Sequence, residues 1–275
     1  MEIAAVLREE IFSPQMKQKD YAILKSIADK LVSLGHDVTV YRAEDLPTDK
    51  HFDLIYHMSR STNAIAKLSE IEKNDTKVIN STQSVSNCSR DKFISILNEA
   101  EIRQPRYNII PTSSNAPTNG YPLWFKKSAG WSSHKQDICY IADRKSAEAT
   151  LELYRKRGID SIHSCNHIDG NIIKFYGVSD IFFRCYYPNP DSTKFSLEKF
   201  NRCDSHYIFS IEELQETAFR AAKAIGLEIY GGDAIITKEG TIYIIDINDF
   251  PSFSAYREEA SEAIAYLINS KIKKR

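Results

Sequence analysis

One stretch constrains this chain more than any other. Residues 228–254 carry two Ile-rich runs, Glu228-Ile229-Tyr230-Gly231-Gly232-Asp233-Ala234-Ile235-Ile236-Thr237 and Thr241-Ile242-Tyr243-Ile244-Ile245-Asp246-Ile247-Asn248, on either side of Glu239-Gly240. Apolar and β-branched runs flanking a Gly turn predict a β-hairpin. Pairing Lys238 with Thr241 across a two-residue turn sets Asp233 opposite Asp246. Directly opposed residues have Cβ atoms about 4.5–5.5 Å apart, where like charges repel, so something must offset that repulsion unless both aspartates are strand-end residues facing solvent. Asn248 follows two residues after Asp246, on the same strand face. Two carboxylates and an amide oxygen form a hard-donor set suited to Mg2+, with Mn2+ as an alternative, held beside phosphates.

The rest of the chain supports an α/β start followed by α+β. Ile3 to Leu7 is an apolar run; Ile23, Ile27, Leu31 and Leu34 recur at helical spacing before Gly35; Asp37 to Tyr41 forms a second run. This is a β-α-β pattern with parallel strands expected. Further strands at Asp53 to Met58 and Lys77 to Asn80, with a helix from Asn63 to Lys73 between them, complete an open sheet. Its ligand crevice belongs at the carboxyl ends of the strands, within reach of Ser59-Arg60-Ser61, where Arg60 is a candidate for a carboxylate or phosphate.

After a polar stretch from Ser81 to Ser89 and a helix from Arg90 to Ala100, the connections shorten. Strands are expected at Leu123 to Lys126, Asp137 to Ile141, Ser161 to Ile168, Asn171 to Val178 and Ile181 to Tyr187. Helices are expected at Lys145 to Arg157 and from Leu214 to Ile225. Asp169-Gly170 is a hairpin signal between two of these strands. The expected division is an α/β unit at 1–85 and a second unit at 86–275, with a smaller lobe at about 106–168.

Composition removes several classes. Lys plus Arg number 36 against 37 Asp plus Glu, a net charge of −1, so the basic excess of a nucleic-acid binder is missing. No run approaches the roughly 18 apolar residues of a membrane span. The five cysteines, Cys88, Cys139, Cys165, Cys185 and Cys203, are odd in number and lack C-x-x-C spacing. Reduced thiols in a cytoplasmic setting are therefore expected.

Other candidate residues lie on the remaining strands. Lys126 and its neighbour Lys127 end an apolar strand. Lys174 and Arg184 each sit among Phe and Tyr, where a buried cation needs an anionic partner, either a phosphate or one of the aspartates. His163, Cys165 and His167 alternate along one run, so as a strand they share a face, leaving open either a soft-ligand metal trio or plain packing.

Tyr230 to Ile236 followed by Ile244-Ile245-Asp246-Ile247-Asn248-Asp249-Phe250-Pro251-Ser252-Phe253 resembles the metal-binding signature of the ATP-grasp superfamily. The likeness is to the branch with ribosomal-protein glutamate ligases, D-alanine–D-alanine ligases and inositol phosphate kinases. The related motifs run from about Asn80 to Phe253. The resemblance implies an ATP-grasp fold behind an N-terminal pre-ATP-grasp, Rossmann-like domain. It also implies that Asp233, Asp246 and Asn248 are metal ligands, and that Lys92, in Arg90-Asp91-Lys92-Phe93, faces the nucleotide. By the same resemblance Lys126 would contact phosphates, Ser128 to His134 would form the phosphate-covering loop, with one glycine in place of the usual several, and Cys165-Asn166-His167-Ile168 would be the adenine hinge in place of the usual Gln-Glu. Lys174 is assigned to the nucleotide and to catalysis, and Arg184 to catalysis. The implied activity is an ATP- and Mg2+-dependent carboxylate–amine ligase acting through an acyl phosphate on a carboxylate and an amine, an amino acid or peptide fitting both. A small-molecule kinase of the inositol-phosphate type, or a nucleotide-binding module without catalysis, are the alternatives.

Overall fold

The computed structural model describes residues 1–13, 16–128, 134–188, 198–201 and 205–273. Among the described residues, three four-stranded sheets follow one another.

The first is parallel. β1 (Glu2–Val6), β2 (Asp37–Tyr41), β3 (Leu54–His57) and β4 (Lys77–Ile79) lie in the order β2-β1-β3-β4. The order reverses between β1 and β3, so the loops after these two strands border the crevice. α1 (Lys17–Ser33) turns Ile23, Leu24, Ile27 and Leu31 onto one face of the sheet. α2 (Thr62–Lys73) turns Ala64, Leu68 and Ile71 onto the other. The Ser61 side chain caps α2 by accepting from the Ala64 N–H at 3.2 Å.

The polar stretch from Ser81 to Ser89 is partly helical: α3 (Thr82–Asn87) precedes α4 (Arg90–Glu99). A strand unmarked in the sequence reading, β5 (Tyr107–Pro111), then joins β6 (Leu123–Lys127), β7 (Ile138–Ile141) and β8 (Ser161–Asn166) in an antiparallel sheet of order β5-β8-β6-β7. α5 (Arg144–Lys156) covers the face bearing Leu123, Phe125 and Ile162.

The third sheet is antiparallel, with β9 (Asn171–Val178), β10 (Phe182–Tyr186), β11 (Ile229–Ile236) and β12 (Ile242–Asp249) in the order β10-β9-β11-β12. The hairpin expected at Asp169-Gly170 is therefore corrected: β8 and β9 pair in different sheets, and the dipeptide carries the chain from one to the other. Gly170 is needed for packing, since a Cβ there would stand 2.3 Å from the Ile236 carbonyl oxygen. α6 (Ile211–Ile225), ended by Gly226 at φ +93°, lays Leu214, Ala218, Ala221 and Ala222 against Ile173, Phe175, Ala234, Ile244 and Ile247. Each large apolar side chain buried there contributes roughly 1.5–3 kcal/mol.

α7 (Arg257–Lys273), like α3 and β5, is an element beyond those expected from the sequence. Ala260, Ile264, Ile268 and Ile272 recur every four residues and are buried with α1 against the first sheet, so the last helix of the chain completes its first unit. No helix among the described residues is long and apolar enough to cross a membrane.

Candidate active site

The strand pairing gathers the polar residues of the third sheet on one face. One row across the sheet runs Tyr186, Lys174, Asp233, Asp246, and the next runs Arg184, Tyr176, Gly231, Asn248. The opposite face carries Phe175, Gly232 and Ile247 toward α6.

Asp233 does face Asp246, but by a different route from the expected two-residue turn. Thr237 N–H donates to the Thr241 carbonyl at 3.0 Å, leaving Lys238, Glu239 and Gly240 in the turn, with Gly240 at φ +79°. Uninterrupted, that register would put Asp246 on the core side with Ile242 and Ile244. A bulge between Asp233 and Ala234 admits Ile245 as an extra residue on β12. It shifts the phase by one and turns Asp246 and Asn248 away from the core.

Lys174 Nζ donates to Asp233 Oδ1 at 2.7 Å, and Asn248 Nδ2 donates to Asp246 Oδ2 at 3.0 Å. Burial and then the Asp233 charge raise the pKa of Asp246; Arg90, Lys126 and the Asn248 amide pull it partly back. Asp246 thus stands between a like charge on its own sheet and two cations brought from elsewhere. Lys126 alternates with Leu123 and Phe125, so it shares the open face of the second sheet with Trp124, whereas Lys127 falls on the other side. Of that adjacent pair, Lys126 is the one acting on Asp246.

α4 supplies the other cation, and here the placement differs from the expectation. Lys92 is exposed. Arg90 lies on the helix side shared with Phe93 and Leu97, where its Nη1 donates to the Lys127 carbonyl at 2.6 Å and its charge acts on Asp246, Tyr107 and Cys165. Helix phase is the signal that would have singled out Arg90: it stands 200° around the helix from Lys92.

Cys165 to Ile168 spans the end of β8 and the crossing to β9. The Asn166 N–H donates to the Arg106 carbonyl at 3.1 Å, and the Ile168 carbonyl accepts from Asn201 Nδ2 at 2.7 Å. Trp124, Tyr140, His167 and Phe200 form an aromatic group beside it, with Tyr140 and Phe200 stacked at 4.3 Å. The members of the His/Cys run are engaged separately. His163 Nε2 bonds Asp91 Oδ1 at 2.5 Å, and burial lowers the pKa of its ring, so the neutral imidazole donates. Burial raises the Cys165 thiol. His167 Nδ1 accepts from Trp124 Nε1 at 3.0 Å. No group of three His, Cys, Asp or Glu side chains among the described residues gathers as a metal site; Asp233, Asp246 and Asn248 offer two carboxylates plus an amide.

Arg184 is half-exposed on the edge strand, ion-paired with Glu259 of α7. Arg60 is closed off: its Nε and Nη2 hold Asp249 Oδ1 at 2.8 and 2.6 Å. Of the expected phosphate-covering loop, Ala129 to Ser133 lie outside the described residues, as does Cys203.

No protein-family model and no curated protein matches the chain. Solved structures do. D-alanine–D-alanine ligase from Bacillus anthracis complexed with ATP superposes with a TM-score of 0.71 at 14% identity, covering 100% of this chain and 99% of the other. A RimK domain ATP-grasp protein from Sphaerobacter thermophilus gives 0.70 at 14%, covering 97% and 99%. The ATP-grasp ligase PsnB, complexed with a minimal precursor, Mg and ADP, gives 0.68 at 14%, covering 98% of each. Likeness over nearly the whole of each chain, with a parallel sheet leading into two antiparallel sheets that bring Lys126 and Asp246 together, identifies the architecture: this chain has the ATP-grasp fold.

Proposed function

We propose that this protein is an ATP- and Mg2+-dependent carboxylate–amine ligase. The observation that carries the reading is the row Lys174, Asp233, Asp246 on one sheet, with Arg90 and Lys126 acting on its last member from outside that sheet. Carboxylates that repel one another and cations that face them suit a metal ion bound together with phosphates. The likeness to structures solved with ATP, and with Mg and ADP, supports the same reading.

In this reading the adenine lies at Cys165 to Ile168, between the second and third sheets. The phosphates extend toward Lys126, Arg90 and Lys174, and Asp233, Asp246 and Asn248 hold magnesium. Magnesium bound there supplies neutralisation of charge on the transferring phosphoryl group. The lysines and arginine orient that group for in-line attack and draw off charge as the bond to ADP breaks. A substrate carboxylate oxygen attacks the γ-phosphorus, ADP leaves, and an acyl phosphate forms. An amine then attacks the acyl carbon, phosphate leaves, the nitrogen loses a proton and an amide results. Arg184, on the face shared with Asn248, meets the carboxylate substrate in this reading; its exposed pair with Glu259 contributes at most about 1 kcal/mol and does not hold it back. Amino acids and peptides carry both reacting groups.

The test is product analysis after incubating purified protein with Mg-ATP and pooled amino acids and short peptides. ADP, phosphate and a new amide mass are expected. ADP with a phosphoester would replace the ligase reading by a kinase, and no ADP from any pool would overturn both.

A further inference from the structure

The end of β12 is held by the first sheet. Arg60, in the loop after β3, grips Asp249 twice over: Nε and Nη2 reach Oδ1, and Nη2 also reaches the Asp249 carbonyl at 3.2 Å. Asp249 is 1% exposed. The loop presenting Arg60 is itself fixed, because Glu9, in the loop after β1, accepts from the Arg60 and Ser61 N–H groups at 3.0 and 3.1 Å. Arg8 Nη2 donates to the next carbonyl, that of Phe250, at 2.6 Å. Phe250 lies at φ +33°, a left-handed conformation unfavourable for a residue with a Cβ. Such a residue persists where its surroundings over-determine it, and here two arginines hold the carbonyls on either side of its N–H.

We infer that Arg60 is a positioning residue for the metal strand: through Asp249 it fixes where Asn248 and Asp246 stand. The inference rests on the metal-site reading above. Asn248 immediately precedes Asp249, and their side chains leave opposite faces of β12, so a displacement of Asp249 moves Asn248 with it. Fixing ligands from behind is what a dense hydrogen-bonded support contributes at a metal site, and its loss typically costs about 10–100-fold in metal affinity. The grip needs a planar, forked cation reaching carboxylate and carbonyl together, which arginine provides and lysine does not.

The experiment compares wild type, Arg60→Lys and the double variant Arg60→Met/Asp249→Leu. The double variant removes both charges, so no buried charge is stranded and the fold is retained. ADP binding is measured calorimetrically in EDTA, and the Mg2+ concentration that half-maximally tightens it is then titrated. Both variants should need at least about tenfold more Mg2+, with metal-free ADP affinity unchanged. An unchanged Mg2+ midpoint in either folded variant would overturn the inference, as would parallel loss of metal-free ADP binding, which would mark general damage to the cleft. If wild type itself shows no Mg2+-dependent tightening, the metal-site reading fails and takes this inference with it.

Discussion

Asp246 stands opposite Asp233 because two irregularities cancel: a three-residue turn moves the register by one, and the bulge at Ile245 moves it back. The extra residue decides which way a carboxylate points: toward the core with Ile242 and Ile244, or onto the open face with Asp233 and Asn248.

Replacing Asp246 by Asn separates metal binding from stability. Opposed like charges cost up to about 1 kcal/mol, so the variant without nucleotide should melt no lower than wild type, and slightly higher. The stabilisation conferred by Mg-ADP, about 2.7 kcal/mol at a hundredfold excess over Kd, should vanish. A strongly destabilised variant that still responds to Mg-ADP would refute the assignment.

The same carboxylate carries a pH signature. Its folded pKa is raised by burial and by Asp233, so between the unfolded value of about 4 and the raised value the folded state holds a proton the unfolded state has released. Its contribution to stability therefore declines as pH rises through the folded pKa. The melting advantage of Asp246→Asn over wild type should grow across that interval and level off above it. An advantage that shrinks with rising pH would contradict this sign.

Arg90→Ala and Lys92→Ala test the helix phase of α4. Losing a charge-assisted contact to phosphate, worth about 1.5–3 kcal/mol, should weaken nucleotide binding by about 10–100-fold in Arg90→Ala. Lys92→Ala should leave Kd nearly unchanged. Calorimetric titration with Mg-ADP reads both, and the reverse ordering would return the role to Lys92.

Two glycines should respond differently to alanine. At Gly232 a Cβ would lie 2.3 Å from the Asp246 carbonyl oxygen and 2.5 Å from the Phe175 ring. Overpacking of about 1–3 kcal/mol should therefore come with loss of the Mg-ADP response, because the β11–β12 pairing beside the ligands must shift. Gly240→Ala meets a left-handed turn, at a cost of about 1–2 kcal/mol, and should keep the response. Equal responses in the two variants would place the site away from this pairing.

His163, Cys165 and His167 should hold no zinc. One imidazole is committed to Asp91, the other to Trp124, and burial keeps the thiol between them protonated. Stoichiometric zinc in protein purified without added metal would reverse this reading.

Periodicity and residue type alone determine a good deal here. The parallel start, the Ile-rich strands and α6 with its closing Gly226 are local or nearest-strand properties, written in spacing, whereas the two aspartates meet only through a turn and a bulge that spacing does not show. α7 was equally legible in the four-residue recurrence from Ala260 to Ile272. Tertiary structure decided what depends on partners distant in sequence. Asp169-Gly170 has the chemistry of a hairpin, yet β8 finds β5 and β6 while β9 finds β10 and β11, because long-range pairing outweighs one turn. Arg60 stands between two serines, Arg90 between Ser89 and Asp91, and Arg184 between Phe183 and Cys185, and none of these neighbours names a partner. Arg90 acts on Asp246 by its charge, Arg60 is closed onto Asp249 and Arg184 pairs with Glu259 at the surface, because which carboxylate an arginine approaches is set by how sheets and helices pack and not by its neighbours in the chain.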